Sequence, residues 1–533
     1  MIRVYQVKCV SSQKSEIEAQ LLKKLHIKKE DLFMWSIHRQ SVDARHKKVL
    51  FSYIIDCKVK NEKRFLSLKD VKETPDETYH MPPMGFKQLL PRPIVVGFGP
   101  AGMFASVLLA QAGFCPIILE RGSQVYKRKE TVEHFWKTGE LDDECNVQFG
   151  QGGAGAFSDG KLTTRSKDKR ARKVLEELVK WGAKEEILID SHPHIGTDAF
   201  LPIIERCQKE IERLGGTFYF DTRLDGIQVE NNCVHKIVTN YGDFESDVVV
   251  LAIGHSASDT IRMLHEKGVR MENKPFAVGV RIEHKQSFIN EAMLKECAHD
   301  ENLIPARYQV TMTASNKKGV YSFCMCPGGY VIPSSCQANQ LVINGMSYAS
   351  RGGDNANSAL LVQVNESDYG TCLFDGLKYQ EDLEKKAYEM ASDYKACVQL
   401  ARDYLANTVS DHFEEVIPTY FLGTKFVDLN LLFSDRVNQA LHEGLIQFEK
   451  KIPGFANTAV LSAVESRSSA SVRINRDEAC MTNIEGLYAC GEGSGYAGGI
   501  MTSAIDGLKC AESIIGKYNN AMLQYKKEKE NDK

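Results

Sequence analysis

The sequence predicts an α/β protein built around a Rossmann-like domain, because the parts of a nucleotide-binding unit follow one another within about 30 residues. A β-branched run, Ile94 to Val96, has no polar alternation, as expected of a strand buried on both faces. It leads into Gly97-Phe98-Gly99-Pro100-Ala101-Gly102 and then an apolar helix over Met103 to Ala112. A second strand, Pro116 to Leu119, ends at Glu120. Together they form a βαβ dinucleotide-binding unit.

Each glycine of this pattern, and the acidic residue after the second strand, has a physical role toward a dinucleotide. Gly97 permits the tight turn, Gly99 lets the backbone approach a pyrophosphate, and Gly102 allows close packing of helix and strand. The N-terminus of the following helix offers unpaired N–H groups to the anion. Glu120 follows Gly97 by 23 residues, where a carboxylate can accept from a ribose hydroxyl. A glycine-rich turn without a ligand is the alternative, which the complete unit disfavours.

Length and composition narrow the class of protein. The chain has 533 residues and a mass of 59.7 kDa, which exceeds one core at roughly 150 residues per domain. The 67 basic and 70 acidic side chains give a net charge of -3, which does not indicate nucleic-acid binding. The 15 cysteines have no repeating spacing along the sequence, which argues against a secreted protein held together by disulfide bonds.

The lengths of the apolar runs indicate whether a signal peptide or a membrane-spanning segment is expected. The first eight residues include no apolar stretch of signal-peptide length. The most apolar runs, such as Val248 to Ile253, fall far short of the roughly 18 residues that a membrane crossing requires. We therefore expect a cytoplasmic protein without a membrane span, and a disordered tail over residues 521–533.

Glycines cluster at two further places that are distant in sequence. Gly152 to Lys161 is a glycine-rich loop with polar side chains beside it. Leu487 to Gly493 is predicted to be a strand that runs into a glycine-rich turn, followed by a helix from Ile500 to Ile515. Another buried strand is predicted over Asp247 to Ile253. Successive glycines let backbone approach a ligand, so both clusters are candidate binding loops.

These segments resemble those of the uncharacterised bacterial FAD-dependent dehydrogenases, often described as NAD(FAD)-utilising, whose FAD fold is of the glutathione-reductase type. The resemblance covers nearly the whole chain. It is carried by Phe149 to Leu162, Phe323 to Gly329, Asn344 to Ser347, Glu465 to Ser469 and Gly491 to Ile500. Ser494 departs from it at a position where alanine is more common.

The resemblance implies that the dinucleotide is FAD, held non-covalently. Glu120 would bind the adenosine ribose, and Glu492 would lie beside the ribityl chain and pyrophosphate. The helix at Ile500 would place its positive end near the flavin pyrimidine edge. The implied FAD-binding residues are Gly97, Gly99, Pro100, Ala101, Gly102, Glu120, Arg121, Gly152, Gly153, Ser158, Leu224, Ala252, Gly254, Gly491, Glu492, Gly498, Gly499 and Ile500.

The predicted fold class is α/β, with a FAD/NAD(P)-binding three-layer ββα Rossmann-like domain that is split in sequence. A small basic β-α-β-β domain is predicted over residues 1–90, where 18 basic and 11 acidic side chains give a net charge of +7. The FAD-binding domain is predicted over 91–274 and 454–520. An inserted α+β substrate domain is predicted over 275–453, over the flavin.

Cys324 and Cys326 are candidate redox residues. Two positions apart on an extended strand, their sulfurs would share one face with Cα atoms roughly 6.6 Å apart. This separation is at the edge of the disulfide range, so a bridge would be strained and easily reduced by a flavin. The favoured alternative is simple packing beneath the Pro-Gly-Gly turn, because redox pairs usually have the spacing Cys-x-x-Cys.

Three further side chains are candidates for catalysis. Lys161 is expected near the flavin N5 or the substrate, and the alternative is a solvated lysine on a surface loop. His255 follows a strand end and could relay a proton, although most such histidines only hold a hydrogen bond. Arg467 is predicted either to bind an anionic substrate or to pair with Glu465. No cysteine and histidine spacing predicts a metal site.

The sequence therefore predicts an FAD-dependent oxidoreductase that moves a hydride to or from a small organic substrate that it does not identify. NAD(P)H would be at most a transient electron donor, because FAD occupies the single dinucleotide fingerprint. One alternative is an RNA-directed flavoprotein using the basic N-terminal domain, but that domain lacks a stacking aromatic run, so nucleic acid is disfavoured. A second alternative is a redox sensor using Cys324 and Cys326. The sequence does not predict an oligomeric state.

Overall fold

The computed structural model describes residues 1–44, 49–164, 167–300 and 303–520. Residues 521–533, predicted to be a disordered tail, lie outside the described residues. The chain is a mixed α/β protein, which confirms the class predicted from the βαβ unit. Within the described ranges, no helix combines the length and apolarity that crossing a membrane demands.

A four-stranded antiparallel sheet with one helix against it forms the N-terminal part. Alternate residues of its long third strand, including Tyr53 and Ile55, are fully buried and pack against Ile17, Leu21 and Leu25 of the helix. The strand order is β2-β3-β1-β4, one strand more than predicted. The elements are β1 (Ile2–Cys9), α1 (Lys14–Leu25), β2 (Leu32–Asp43), β3 (Leu50–Val59) and β4 (Val71–Glu73), followed by the short β5 (Lys87–Leu89).

The next part contains the βαβ unit and a small antiparallel meander, β9 to β11. Its helix begins at Pro100, three residues before the predicted start at Met103, because Pro is well suited to the first position of a helix. The elements are β6 (Ile94–Val96), α2 (Pro100–Gln111), β7 (Ile117–Leu119), α3 (Val125–Thr138), α4 (Arg170–Lys180), α5 (Thr197–Arg213), β8 (Thr217–Tyr219), β9 (Leu224–Glu230), β10 (Cys233–Thr239), β11 (Asp243–Glu245), β12 (Val249–Leu251), α6 (Ser258–Glu266) and β13 (Met271–Asn273).

A seven-stranded mixed sheet follows, in the order β15-β16-β19-β14-β22-β20-β21. Its last strand in sequence begins at Val460, so the sheet extends past the boundary predicted at residue 453. The elements are β14 (Phe276–Lys285), α7 (Gln286–Leu294), β15 (Thr311–Thr313), β16 (Gly319–Cys326), β17 (Tyr330–Pro333), β18 (Ile343–Met346), β19 (Asn355–Val364), α8 (Glu366–Tyr369), α9 (Asp375–Ala391), β20 (Ala396–Leu400), α10 (Ala401–Ala406), β21 (Thr424–Phe426), α11 (Asp435–Lys451) and β22 (Val460–Glu465).

The last part returns to the first parallel sheet and completes it. Its elements are β23 (Val472–Ile474), β24 (Leu487–Ala489), α12 (Ile500–Lys517) and β25 (Tyr518–Asn520). The five parallel strands have the order β24-β12-β6-β7-β8. On one face Val95 and Val250 belong to a core shared with α2 and α12, and on the other Val96 and Leu251 share a core with the meander. Helices, sheet and meander thus form three layers.

Candidate functional site

A deep cleft, which we call the strand-end cleft, opens at the carboxyl edge of the five-stranded sheet. Strands β6, β7, β12 and β24 run directly into Gly97, Glu120, Ala252 and Cys490, and all four residues line it. The cleft encloses about 1560 Å³, counting its open mouth. Ligands of open α/β sheets bind in the crevice outside these strand ends.

The carboxylate of Glu120 is buried at the floor of the strand-end cleft. Its Oε2 accepts from the backbone N–H of Phe98 at 2.7 Å, and its Oε1 accepts from Gly122 and Gly150, each at 3.0 Å. A carboxylate offers about four acceptor positions, so a free position on Oε2 remains for a hydroxyl group. Glu120 also holds the β6 turn and the Gly150 loop together.

Helix α2 points its N-terminus into the strand-end cleft. Gly99 is its N-cap, and the first helical hydrogen bond runs from the N–H of Met103 to the Gly99 carbonyl at 2.8 Å. The N–H groups of Ala101 and Gly102 therefore have no acceptor within the helix and are available to an anion. Gly153 of the second glycine loop packs here so closely that an added Cβ would lie 2.8 Å from the Gly99 Cα.

Helix α12 presents a second N-terminus to the strand-end cleft, through Gly499, Ile500 and Ser503. Glu492, in the turn before it, accepts from the Gly499 N–H, and its Oε2 lies 3.8 Å from the His255 Nδ1. Burial raises the pKa of Glu492 to about 7, although the positive charge of Lys274 opposes this rise. Burial and the Arg467 charge lower the pKa of His255 to about 4, so this imidazole is neutral at pH 7.

The Glu492→Gln variant should be more stable than the parent protein at high pH. The pKa of Glu492 is raised from 4.5 to about 7 by burial, so its stability contribution is present below pH 4.5 and is lost as pH rises through 7. We expect the two unfolding free energies to agree near pH 4.5 and to differ by about 3 kcal/mol at pH 8 in flavin-free protein. Urea unfolding at several pH values measures this difference.

The control is Glu485→Gln, because ion pairing with Lys87 and Lys517 lowers the pKa of that exposed carboxyl. Its stability difference from the parent should stay constant between pH 5 and 8, because the group does not titrate there. A pH-independent difference for Glu492→Gln would contradict the pKa assigned to Glu492.

Lys161 lines the strand-end cleft and is not a freely solvated surface lysine. Its ammonium donates to the Met325 carbonyl and lies 3.6 Å from the Asp159 Oδ2, with 24% of the side chain exposed. Asp159 is buried and also binds the Arg351 guanidinium through Nε at 3.1 Å and the second terminal nitrogen at 2.6 Å. The position and charge of Lys161 are thus set by buried partners.

Cys324 and Cys326 do not lie on a regular extended strand, contrary to the sequence prediction. A β-bulge follows Phe323, and Cys324 has a left-handed φ of +43°, so the simple alternation of strand faces fails. Cys324 lines the strand-end cleft, whereas Cys326 is buried behind it. A hydrogen bond from the Cys326 thiol, together with the Lys161 and Arg281 charges, lowers the pKa of Cys324 well below its usual value.

Arg467 lines the strand-end cleft but does not pair with Glu465, so that alternative is wrong. Its Nε and one terminal nitrogen bind the two carboxylate oxygens of Glu384, each at 2.8 Å. Glu465 instead accepts from the buried Arg281 at 2.5 and 3.2 Å. Because the Arg467 charge already has a buried bidentate partner, it is not free to neutralise a substrate anion.

The structure brings most of the predicted residues together. Those that line the strand-end cleft are Gly97, Gly99, Pro100, Ala101, Glu120, Arg121, Gly153, Ser158, Lys161, Leu224, Ala252, Gly254, His255, Cys324, Arg467, Gly491, Glu492, Gly499 and Ile500. Gly102 and Gly152 pack behind it: an added Cβ would lie 1.9 Å from the Gly97 carbonyl oxygen and 2.4 Å from Ile204 Cδ1, respectively. Gly498 lines a neighbouring groove.

Arg128 supports the site and was missed from the sequence. It is fully buried in α3 and donates to five backbone carbonyls, at 2.8 to 3.1 Å. The acceptors belong to Asn146, Val147, Gly150, Gln151 and Gly153. Burial lowers the pKa of Arg128 to about 10. This guanidinium therefore holds the shape of the loop that packs against Gly99.

Other lining residues were also missed at the far end of the strand-end cleft. Thr222 and Arg223 line it beside the predicted Leu224, and their adjacency to that residue could have predicted them. Phe149 lies under the Arg121 guanidinium, 4.3 Å from the ring centre. Arg121 also binds Glu144 at 2.5 Å, so its positive charge is paired within the wall of the cleft.

Comparison with known proteins agrees with this architecture. An uncharacterised protein of Clostridium beijerinckii is 45% identical over 514 residues, covering 94% of this chain and 96% of that protein. The chain therefore belongs to the same family as this clostridial protein. Residues 275–468 match the family model described as FAD-dependent protein, C-terminal domain-like. Residues 1–58 match a domain of unknown function.

Solved structures show weaker similarity. Glycine oxidase from Bacillus cereus is 12% identical, covers 82% of this chain and 100% of its own, and has a TM-score of 0.32. L-proline dehydrogenase from P. horikoshii is 13% identical, covers 83% and 97%, and has a TM-score of 0.34. Both similarities are too weak to support a conclusion about this chain.

Proposed function

We propose that this protein is an FAD-dependent oxidoreductase that exchanges a hydride between non-covalently bound FAD and a small organic substrate. The observation that carries the proposal is that Glu120 and the N-termini of two helices line one strand-end cleft. The same chain contains a region, residues 275–468, that matches an FAD-dependent family model. The three-layer domain would then be an FAD-binding fold of the glutathione-reductase type, split by the inserted sheet.

The residues of the cleft fit the chemistry of FAD. The free N–H groups at the start of α2 suit a pyrophosphate, and the open lone pair of the Glu120 Oε2 suits a ribose hydroxyl. Leu224 and its neighbours would flank the adenine. Gly491, Gly499 and Ile500 would contact the flavin end of FAD, where the positively polarised N-terminus of α12 favours negative charge. When bound, FAD supplies a ring that accepts or returns a hydride.

The polar side chains near that end can bind and move protons. The Glu492 carboxyl, with its pKa raised by burial to about 7, can hold or release a proton near neutral pH. His255, neutral at that pH, lies 3.8 Å from Glu492 and can accept a hydrogen bond. Lys161 would bring a positive charge to the same end of the cleft, where Cys324 also lies. The seven-stranded sheet would close over the substrate and exclude water.

Anaerobic mixing tests the proposal directly. Purified protein should carry FAD, and its absorbance near the flavin maximum should fall on addition of NADH, NADPH or one of a panel of amines, hydroxy acids and enoyl compounds. Free FAD with the same donors is the control, because it measures uncatalysed reduction. Protein that neither contains nor binds FAD would refute the cofactor, and bound FAD that no donor reduces would refute the dehydrogenase activity.

A further inference from the structure

A second, open groove adjoins the strand-end cleft, and we call it the cationic groove. It is lined by Lys274, Arg473, Tyr321, Phe323 and Tyr496, with small residues between them. It shares Phe323 and Ser468 with the strand-end cleft, so the two spaces are adjacent. Its volume is about 880 Å³, counting its open side. The groove lies between the parallel-sheet domain and the inserted sheet, a common place for a substrate.

Two positively charged side chains, Lys274 and Arg473, line this groove. The Lys274 ammonium donates to the Ala470 carbonyl at a long 3.4 Å, and among the described residues it forms no ion pair within 4.0 Å. Burial and the nearby Arg473 charge lower the pKa of Lys274, although Glu492 opposes this. Placing two cations together costs free energy that a bound anion would recover.

Arg473 carries an unused hydrogen-bond donor. One of its terminal nitrogens binds Glu272 at 3.1 Å, in a pair that is largely exposed to solvent. Its Nε is buried and has no hydrogen-bond partner within the described part of the chain. The Arg473 side chain is 38% exposed, so the outer part of its guanidinium is accessible to an acceptor from a ligand. Its guanidinium carbon lies 5.2 Å from the Tyr496 ring centre, which helps to orient the group.

The rest of the cationic groove is lined by aromatic and small side chains, with Ser468 and Ser469 as polar members. Phe323 is 45% exposed and Tyr496 is 43% exposed. Tyr321 and Leu361 line the same wall. Aromatic faces of this kind bind planar, conjugated molecules well. The groove therefore combines an anion-binding end with a surface suited to a flat apolar body.

We propose that the cationic groove binds the carboxylate of an aromatic or conjugated organic acid through Lys274 and Arg473, and that its body passes Phe323 into the strand-end cleft. This inference rests on the proposed function, because it names the class of substrate that would meet the flavin. The phosphates of a pyridine dinucleotide are also anions that Lys274 and Arg473 could bind. The experiment below distinguishes such a dinucleotide from a carboxylic acid.

Titration of the FAD-loaded protein with trans-cinnamate tests the inference, with calorimetry measuring binding and flavin absorbance measuring proximity. Cinnamate should bind saturably and perturb the flavin spectrum, whereas the uncharged cinnamamide should bind roughly tenfold more weakly or worse. Lys274→Met and Arg473→Gln should each weaken cinnamate binding roughly tenfold, because each removes a charged donor. Lys209→Met, on the exposed surface of α5, is the matched control and should change nothing.

Three results would overturn the inference. These are an absence of cinnamate binding, a cinnamate affinity that neither substitution changes, and cinnamate binding that leaves the flavin spectrum unperturbed. NADPH or inorganic phosphate that binds in a Lys274- and Arg473-dependent manner, with no cinnamate binding, would assign the groove to a phosphate-bearing ligand instead. Protein that lacks FAD would refute the proposed function, whereas calorimetry would still report whether the groove binds the acid.

Discussion

The Gly99→Val variant should fold normally and bind FAD roughly ten- to hundredfold more weakly than the parent protein. Gly99 has an ordinary φ of -77°, and an added Cβ would contact only the Gly153 Cα, at 3.6 Å, so the protein itself tolerates a side chain there. The same side chain would occupy the wall of the strand-end cleft where the pyrophosphate is expected. Steric crowding of this kind costs about 1–3 kcal/mol, which weakens binding roughly ten- to hundredfold.

The measurement is the FAD content of purified protein, together with the dissociation constant on reconstitution. Gly516→Val is the control, because an added Cβ at this position in α12 meets nothing within 4 Å. Both variants should give the circular dichroism spectrum of the parent. Retention of stoichiometric FAD by Gly99→Val would refute the placement of the pyrophosphate at the start of α2.

Arg128→Met should destabilise the protein and weaken FAD binding together. The substitution leaves five carbonyls of the loop from Asn146 to Gly153 without their shared donor. The Gly150 and Gly153 carbonyls keep backbone donors, from Gly153 and Ala156. Each buried acceptor that is left without a partner costs about 1–3 kcal/mol, so we expect a total of about 3–5 kcal/mol. The same loop packs on Gly99, so FAD binding should weaken as well.

Urea unfolding and FAD titration measure the two effects of Arg128→Met. Arg213→Met is the control, because Arg213 lies on the surface of α5 and pairs only with Glu210. Its unfolding free energy should change by about 0.5 kcal/mol or less. If Arg128→Met matched this control in stability, the buried guanidinium would not be the support that its contacts indicate.

Much of the cleft could be predicted because the residues concerned are close in sequence. The βαβ unit from Ile94 to Glu120 encodes its strands, turn and helix locally, and the structure has each of them. The glycines near residues 153 and 499 were detectable because repeated glycine marks close backbone approach. Their individual contacts with FAD stay predictions.

The contacts that the sequence did not predict depend on tertiary structure. Arg467 pairs with Glu384, 83 residues away, instead of the nearby Glu465. Cys324 lies in a β-bulge and has a left-handed φ. The alternation of polar and apolar residues in the sequence does not predict such a bulge. Arg128 looks like any basic residue of an amphipathic helix, because its five acceptors are backbone atoms without a side-chain pattern.

The position of β24 has a consequence for the order in which the protein can form. Leu487 to Ala489 pair with Val249 to Leu251, so the edge of the parallel sheet stays open until the ribosome has made the whole inserted sheet. Such long sequence separation slows folding and leaves a strand edge exposed to misassembly in the meantime. The complete strand-end cleft can therefore form only after the inserted sheet, Glu492 and α12 have been translated.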